Sequence, residues 1–107
     1  MPWGIYLPAD EAAPLEFRLF GQYTDYQEAV GGSFQPVELK TFGADIYVNE
    51  EGKVNELPLN RRATLMLWVI ERAWRNEDTL VGDAVIIGSP DDEGDTQDVP
   101  SELVKIG

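Results

Sequence analysis

The sequence predicts a small α+β fold: a mostly antiparallel sheet packed on one long helix at about residues 60–75, with a short helix at about 24–30. Three observations carry that prediction. Several short runs alternate apolar and polar residues at period two, as half-buried strands do. One stretch, Asn60 to Arg75, instead repeats its apolar residues at helical spacing. Glycine and proline break the chain between these runs.

Taken in order, Trp3 to Leu7 suits a short strand ended by Pro8, and Pro8 to Pro14 a loop. Leu15 to Phe20 alternates cleanly and stops at Gly21. Thr24 is expected to cap the short helix, with Gln27 completing a capping box and Gly31 terminating it in the left-handed conformation. Phe34 to Lys40 alternates again, and Pro36 marks it as an edge strand or a bulge. Asp45 to Asn49 is the clearest strand. Asn49-Glu50-Glu51-Gly52-Lys53 reads as a hairpin turn closed by glycine, with Val54 to Leu57 as the return strand. Asn60 is a good N-cap for the long helix, which would be about 22 Å long. Leu80 to Ile87 holds a Gly-Asp break and then a buried AVII strand. Asp91 to Asp98 carries five acids in eight residues and is expected to be a mobile, solvated loop. Val99 to Ile106 would add a last strand or helical turn. The whole chain, 1–107, is expected to form one domain.

Composition narrows the function. With no cysteine there is no thiolate nucleophile, disulfide or sulfur-ligated metal, and with no histidine the commonest general base is gone. A net charge of −12 opposes direct binding to nucleic acid or anionic membrane and favours a basic surface on another protein. The start, MPWGIYLPAD, lacks the features of a signal peptide, and no apolar run has the length of a membrane span. A cytoplasmic location is therefore expected. A homo-oligomer is among the assemblies the sequence allows.

The long helix reverses the local charge, since four of the eight basic residues lie on it: Arg61, Arg62, Arg72 and Arg75. At 100° per residue, Ala63, Met66, Leu67, Ile70, Ala73 and Trp74 form the apolar face. Trp68 falls on the opposite side, with Arg61, Thr64, Glu71, Arg72 and Arg75. Two readings follow. In one, the Trp68 indole stacks a planar anionic ligand, Asn60, Arg61 and Arg72 hold its phosphate, and Thr64 belongs to the same site. In the other, Trp68 lies beneath the hairpin while Glu50, Glu51 and Glu56 neutralise the arginines. Catalysis has little support: Glu50 and Glu51 are adjacent and build no acid–base pair. The acids from Asp91 to Glu102 echo calcium-loop spacing, but Thr96 stands where a glycine is required and Pro100 intrudes. No cofactor or metal is expected.

The residues Gln27, Val30-Gly31-Gly32, Asp45-Ile-Tyr-Val-Asn-Glu-Glu-Gly-Lys, Asn60-Arg61-x-Ala63-Thr64 and Val81-Gly82-Asp83-Ala84-Val85 together resemble the domain of unknown function 3846. The likeness runs from the first strand to Gly88, with Gln35 departing where an Ile-Glu pair is expected. It implies a small α+β fold and a phage or other mobile-element origin, and brings no established activity. The leading expectation is a non-catalytic phage-type accessory protein that binds and sequesters a host or defence component. Its ligand would be small, anionic and nucleotide-like, held on the long helix. The alternative is an acidic inhibitor, imitating nucleic acid, that masks a basic surface on a host protein. An enzyme using Glu and Tyr trails both.

Overall fold

The computed structural model describes residues 2–71 and 78–106, the last two in backbone only. Its elements are β1 (Trp3–Leu7), β2 (Glu16–Leu19), α1 (Tyr23–Val30), β3 (Phe34–Leu39), a 3-10 turn at Lys40–Phe42, β4 (Ala44–Asn49), α2 (Arg61–Ile70), β5 (Ala84–Gly88) and α3 (Ser101–Ile106). The strands form one sheet in the order β2-β1-β5-β4-β3, every neighbouring pair antiparallel. The α+β class holds.

Alternation along the strands splits the core between two faces. Ile5 and Leu7 of β1, Ile46 and Val48 of β4, and Ala84 and Ile86 of β5 face α2 and α3. There they meet Ala63, Met66, Leu67, Ile70 and Leu103. The intervening residues Tyr47, Val85 and Ile87 turn to the other side, against Phe20, Tyr26 and Ala29. The sheet is thus covered by α2 and α3 on one face and by α1 on the other.

Local sequence explains most element ends. Gly31 closes α1 with φ 81°, and its N–H donates to Gln27 O. The N-terminal cap differs from the Thr24–Gln27 expectation. Gln22 is the cap residue, and the Asp25 carboxylate accepts the N–H groups of Gly21 and Gln22, each at 2.9 Å. Pro36 lies on β3, which is an edge strand. The tail takes the helical alternative.

Two expectations are overturned. The return strand at Val54–Leu57 is absent, because β4 is already paired on one side by β3 and on the other by β5. Residues 51–56 form successive turns instead, and Glu56 rather than Gly52 takes the left-handed backbone, at φ 53°. Gly52 is needed for space: a Cβ there would stand 2.9 Å from Val81 Cγ2. The long helix at 60–75 is also corrected, since α2 ends at Ile70. Glu71 leaves helical geometry at φ −112°, ψ 90°, and its carboxylate accepts the N–H of Thr41 at 2.8 Å. Asp78 O is already back beside Trp68, accepting the indole N–H at 2.7 Å. The remainder of the expected span, 72–75, lies outside the described residues.

The acidic stretch 91–98 is folded around Asp91. Its carboxylate accepts the N–H groups of Glu93 and Asp95 and the side-chain amide of Gln97. Among the described residues no helix is long and apolar enough to cross a membrane.

Candidate functional site

Of the five residues expected to form a ligand site on α2, the four described do not share one surface. Asn60 is fully buried. Its Oδ1 accepts the N–H of Ala63 at 3.0 Å, capping α2, while Nδ2 donates to Leu7 O and Gly82 O, each at 2.9 Å. Thr64 is buried too, and its hydroxyl both accepts the N–H of Leu80 at 2.9 Å and donates to Leu80 O at 3.3 Å. These side chains are occupied by the protein itself. Trp68 is half-buried against the core, its indole N–H held by Asp78 O. Arg61 is exposed and pairs with Glu11 at 3.5 Å, and Arg62 donates to Glu11 O. The countercharge of Arg61 comes from the loop after β1 rather than from Glu50, Glu51 or Glu56. Arg72 lies outside the described residues, as do Ala73, Trp74 and Arg75 of the expected faces.

A different set of side chains does converge. Phe20, Tyr23, Tyr26, Phe34 and Tyr47 line one open cleft of about 560 Å³ between α1 and the sheet. That volume suits a small ligand or a single large side chain. Helical spacing explains part of the cluster, since Tyr23 and Tyr26 are one turn apart on α1. Sheet register explains the rest. Pro36 pairs with Tyr47, so Phe34, two residues from Pro36, shares Tyr47's face. The rings touch in sequence: Phe34 stacks on Tyr47 at 4.8 Å, Tyr26 meets Tyr47 edge-on at 4.9 Å, and Phe20 stacks on Tyr26 at 4.9 Å. Tyr23, the most exposed of them, leans on Phe34 at 4.9 Å.

The cleft's polar wall is the acidic loop. Gly94, Asp95 and Thr96 line it, and the Tyr26 and Thr96 hydroxyls lie 3.4 Å apart. No Lys or Arg is among the described residues lining it. The N–H groups of Gly21 and Gln22, just before α1, are already met by Asp25. Burial, with Tyr26 and then Asp45 adding, pushes the Tyr47 phenol up to about 12. Burial likewise raises Tyr26. Both phenols therefore stay neutral near pH 7. Electron-rich ring faces beside Asp95, the acid lining the cleft, favour a cation over an anion. The i, i+3 spacing of Phe20, Tyr23 and Tyr26 was the available sequence signal; Phe34 and Tyr47 join them only through strand register.

Further polar contacts tie the sheet together. The Tyr6 hydroxyl donates to Asp83 at 2.6 Å, the other Asp83 oxygen accepts the N–H of Ala9, and the Arg18 guanidinium lies 4.0 Å from the Tyr6 ring centroid. Ser89 Oγ donates to the buried Asp45 carboxylate at 3.2 Å. No group of three or more Asp or Glu side chains able to hold a metal occurs among the described residues.

The model of the family described as Domain of unknown function (DUF3846) matches residues 5–106. The chain belongs to that family. The match extends past Gly88 to include the acidic loop and α3, so the DUF3846 unit contains both walls of the aromatic cleft. Several segments that carried the resemblance are its internal braces. Asn49 Nδ2 donates to Val30 O, Asn60 reaches Leu7 and Gly82, and Asp83 reaches Tyr6 and Ala9. Comparison with curated proteins and with solved structures gave no match.

Proposed function

We propose that this DUF3846 protein acts by binding rather than by catalysis, as an acidic accessory protein that engages a basic host protein and holds one of its Lys or Arg side chains in the aromatic cleft. In the phage or mobile-element setting the resemblance implies, occupying that partner would be the function. The observation that carries this reading is that one open cleft combines a five-ring aromatic cluster, with Tyr23 its exposed member, and the acidic residue Asp95. Rings of this kind bind guanidinium and ammonium groups at about 0.5–2 kcal/mol each. The net charge of −12 supports it by steering a basic partner toward the protein.

Three facts favour a basic partner in the cleft over an anionic, nucleotide-like ligand on α2 or in the cleft. Asn60 and Thr64 have spent their hydrogen bonds internally, Arg61 is paired, and the cleft offers an anion no cation among its described residues. The test is a calorimetric titration with short Arg- and Lys-containing peptides beside a panel of nucleotides. Basic peptides are expected to bind, with affinity falling several-fold in Tyr23→Ala and in Asp95→Asn and falling as salt rises. Binding of nucleotides but not basic peptides would overturn the proposal and return attention to α2.

A further inference from the structure

We propose that β2 is the interface of a two-fold homodimer, in which β2 pairs antiparallel with its own copy and Phe17 sits on the axis. The surface is separate from the cleft and does not depend on it. β2 is an outer strand of the sheet, so one side of its backbone is unpaired. The opposite edge, β3, is blunted by Pro36. β2 contains neither proline nor glycine. Its apolar side chains also stand in solvent: Phe17 is 56% exposed, Leu19 45%, and Trp3 beside Leu19 47%.

Backbone direction limits the register. The N–H of Phe20 donates to Pro2 O across to β1. In an antiparallel ladder such bonds recur at every second residue, so Arg18 and Glu16 also aim their amides at β1. Phe17 and Leu19 therefore present theirs to the open side, and Leu15 continues that set. A two-fold axis at Phe17 bonds Phe17 to Phe17 of the second copy and Leu15 to Leu19, using only outward-pointing groups. It also sets Glu16 against Arg18 of the second copy, twice, extending the Arg18–Glu16 pair that each chain holds at 3.1 Å into a four-membered network. Axes at Glu16 or at Arg18 satisfy the backbone equally well. They place glutamate against glutamate, or arginine against arginine, which is destabilising at directly opposed positions. Charge thus selects Phe17 as the axis. One face of the junction would be apolar and the other would carry two ion pairs, joining two five-stranded sheets into one.

Sedimentation velocity at about 0.15 M salt, where the Debye length is about 8 Å, tests this directly. The expected mass is twice the 12.0 kDa of the chain. Phe17→Lys, at an exposed position that leaves the fold intact by circular dichroism, is expected to give monomer. Glu16→Arg alone is expected to weaken the dimer at least tenfold, and Glu16→Arg with Arg18→Glu to restore it, because the exchange preserves each cross-axis pair. A single 12.0 kDa species at the highest soluble concentration would overturn the proposal. So would a dimer that survives Phe17→Lys, or a charge exchange that fails to restore one.

Discussion

Asp45 is a carboxylate set inside a sheet, only 6% exposed, with Ser89 Oγ as its hydrogen-bond donor. Burial raises its pKa from 3.8, the Ser89 bond lowers it, and Glu38, directly across on β3, raises it again. The net direction is up. Folded Asp45 therefore keeps its proton at pH values where the unfolded chain has lost it. Its contribution to stability is fully present below 3.8 and is lost as pH rises through the higher folded value. Asp45→Asn is accordingly expected to raise Tm at about pH 7 and to change it little at about pH 3. Scanning calorimetry at the two pH values measures this, and a lower Tm at neutral pH would show that the Ser89 bond outweighs burial. Sequence gave Asp45 as the start of a strand. It could not place Ser89 and Glu38 around it, because both arrive from other strands or their ends.

At the scale of elements, α2 is fixed less by its length than by its N-cap residue. Asn60 joins the start of α2 to the end of β1 and to the turn before β5, through Ala63, Leu7 and Gly82. Asn60→Ala removes the cap and both amide bonds, to Leu7 O and Gly82 O, from an interior where Asn60 itself has no exposed surface. The expected loss is about 2–4 kcal/mol, read from urea denaturation. An unchanged midpoint would mean that Asn60 is not the brace described. The cap was legible in the sequence, since Asn before an apolar-periodic run is a strong local signal. The end of α2 was not. Helical periodicity continues to Trp74 in the sequence, but the chain must return to Trp68 by Asp78. A similar competition removed the hairpin after β4: its turn chemistry is locally sound, yet β5 holds the place the return strand needed. Aromatic spacing on α1 was readable, while the cleft waited on the register that brings Phe34 and Tyr47 beside it.

Over the whole molecule, the four ion pairs between described side chains all involve exposed or half-exposed groups: Arg18–Glu16, Lys40–Glu38, Lys53–Asp78 and Arg61–Glu11. Such pairs add little and leave a net charge of −12 acting on the fold. Self-repulsion of this kind weakens as salt shortens the Debye length, from about 30 Å at 0.01 M to about 8 Å at 0.15 M. The Tm is expected to rise over that interval, a simple measurement by thermal melt. A fall would mean that the ion pairs outweigh the net repulsion. The sequence by itself determined the α+β class, most strand positions, the cap of α2, the glycine end of α1 and the acidic character that bears on partners. Those features depend on periodicity, on single-residue geometry and on summed charge, all of which are local or additive. Tertiary structure decided which strands are neighbours, where α2 stops, that Asn60 and Thr64 face inward, and that five rings meet an acidic wall. Each of these depends on competition between distant segments for the same edge, the same hydrogen bond or the same space, and no stretch of sequence read alone contains the competitor.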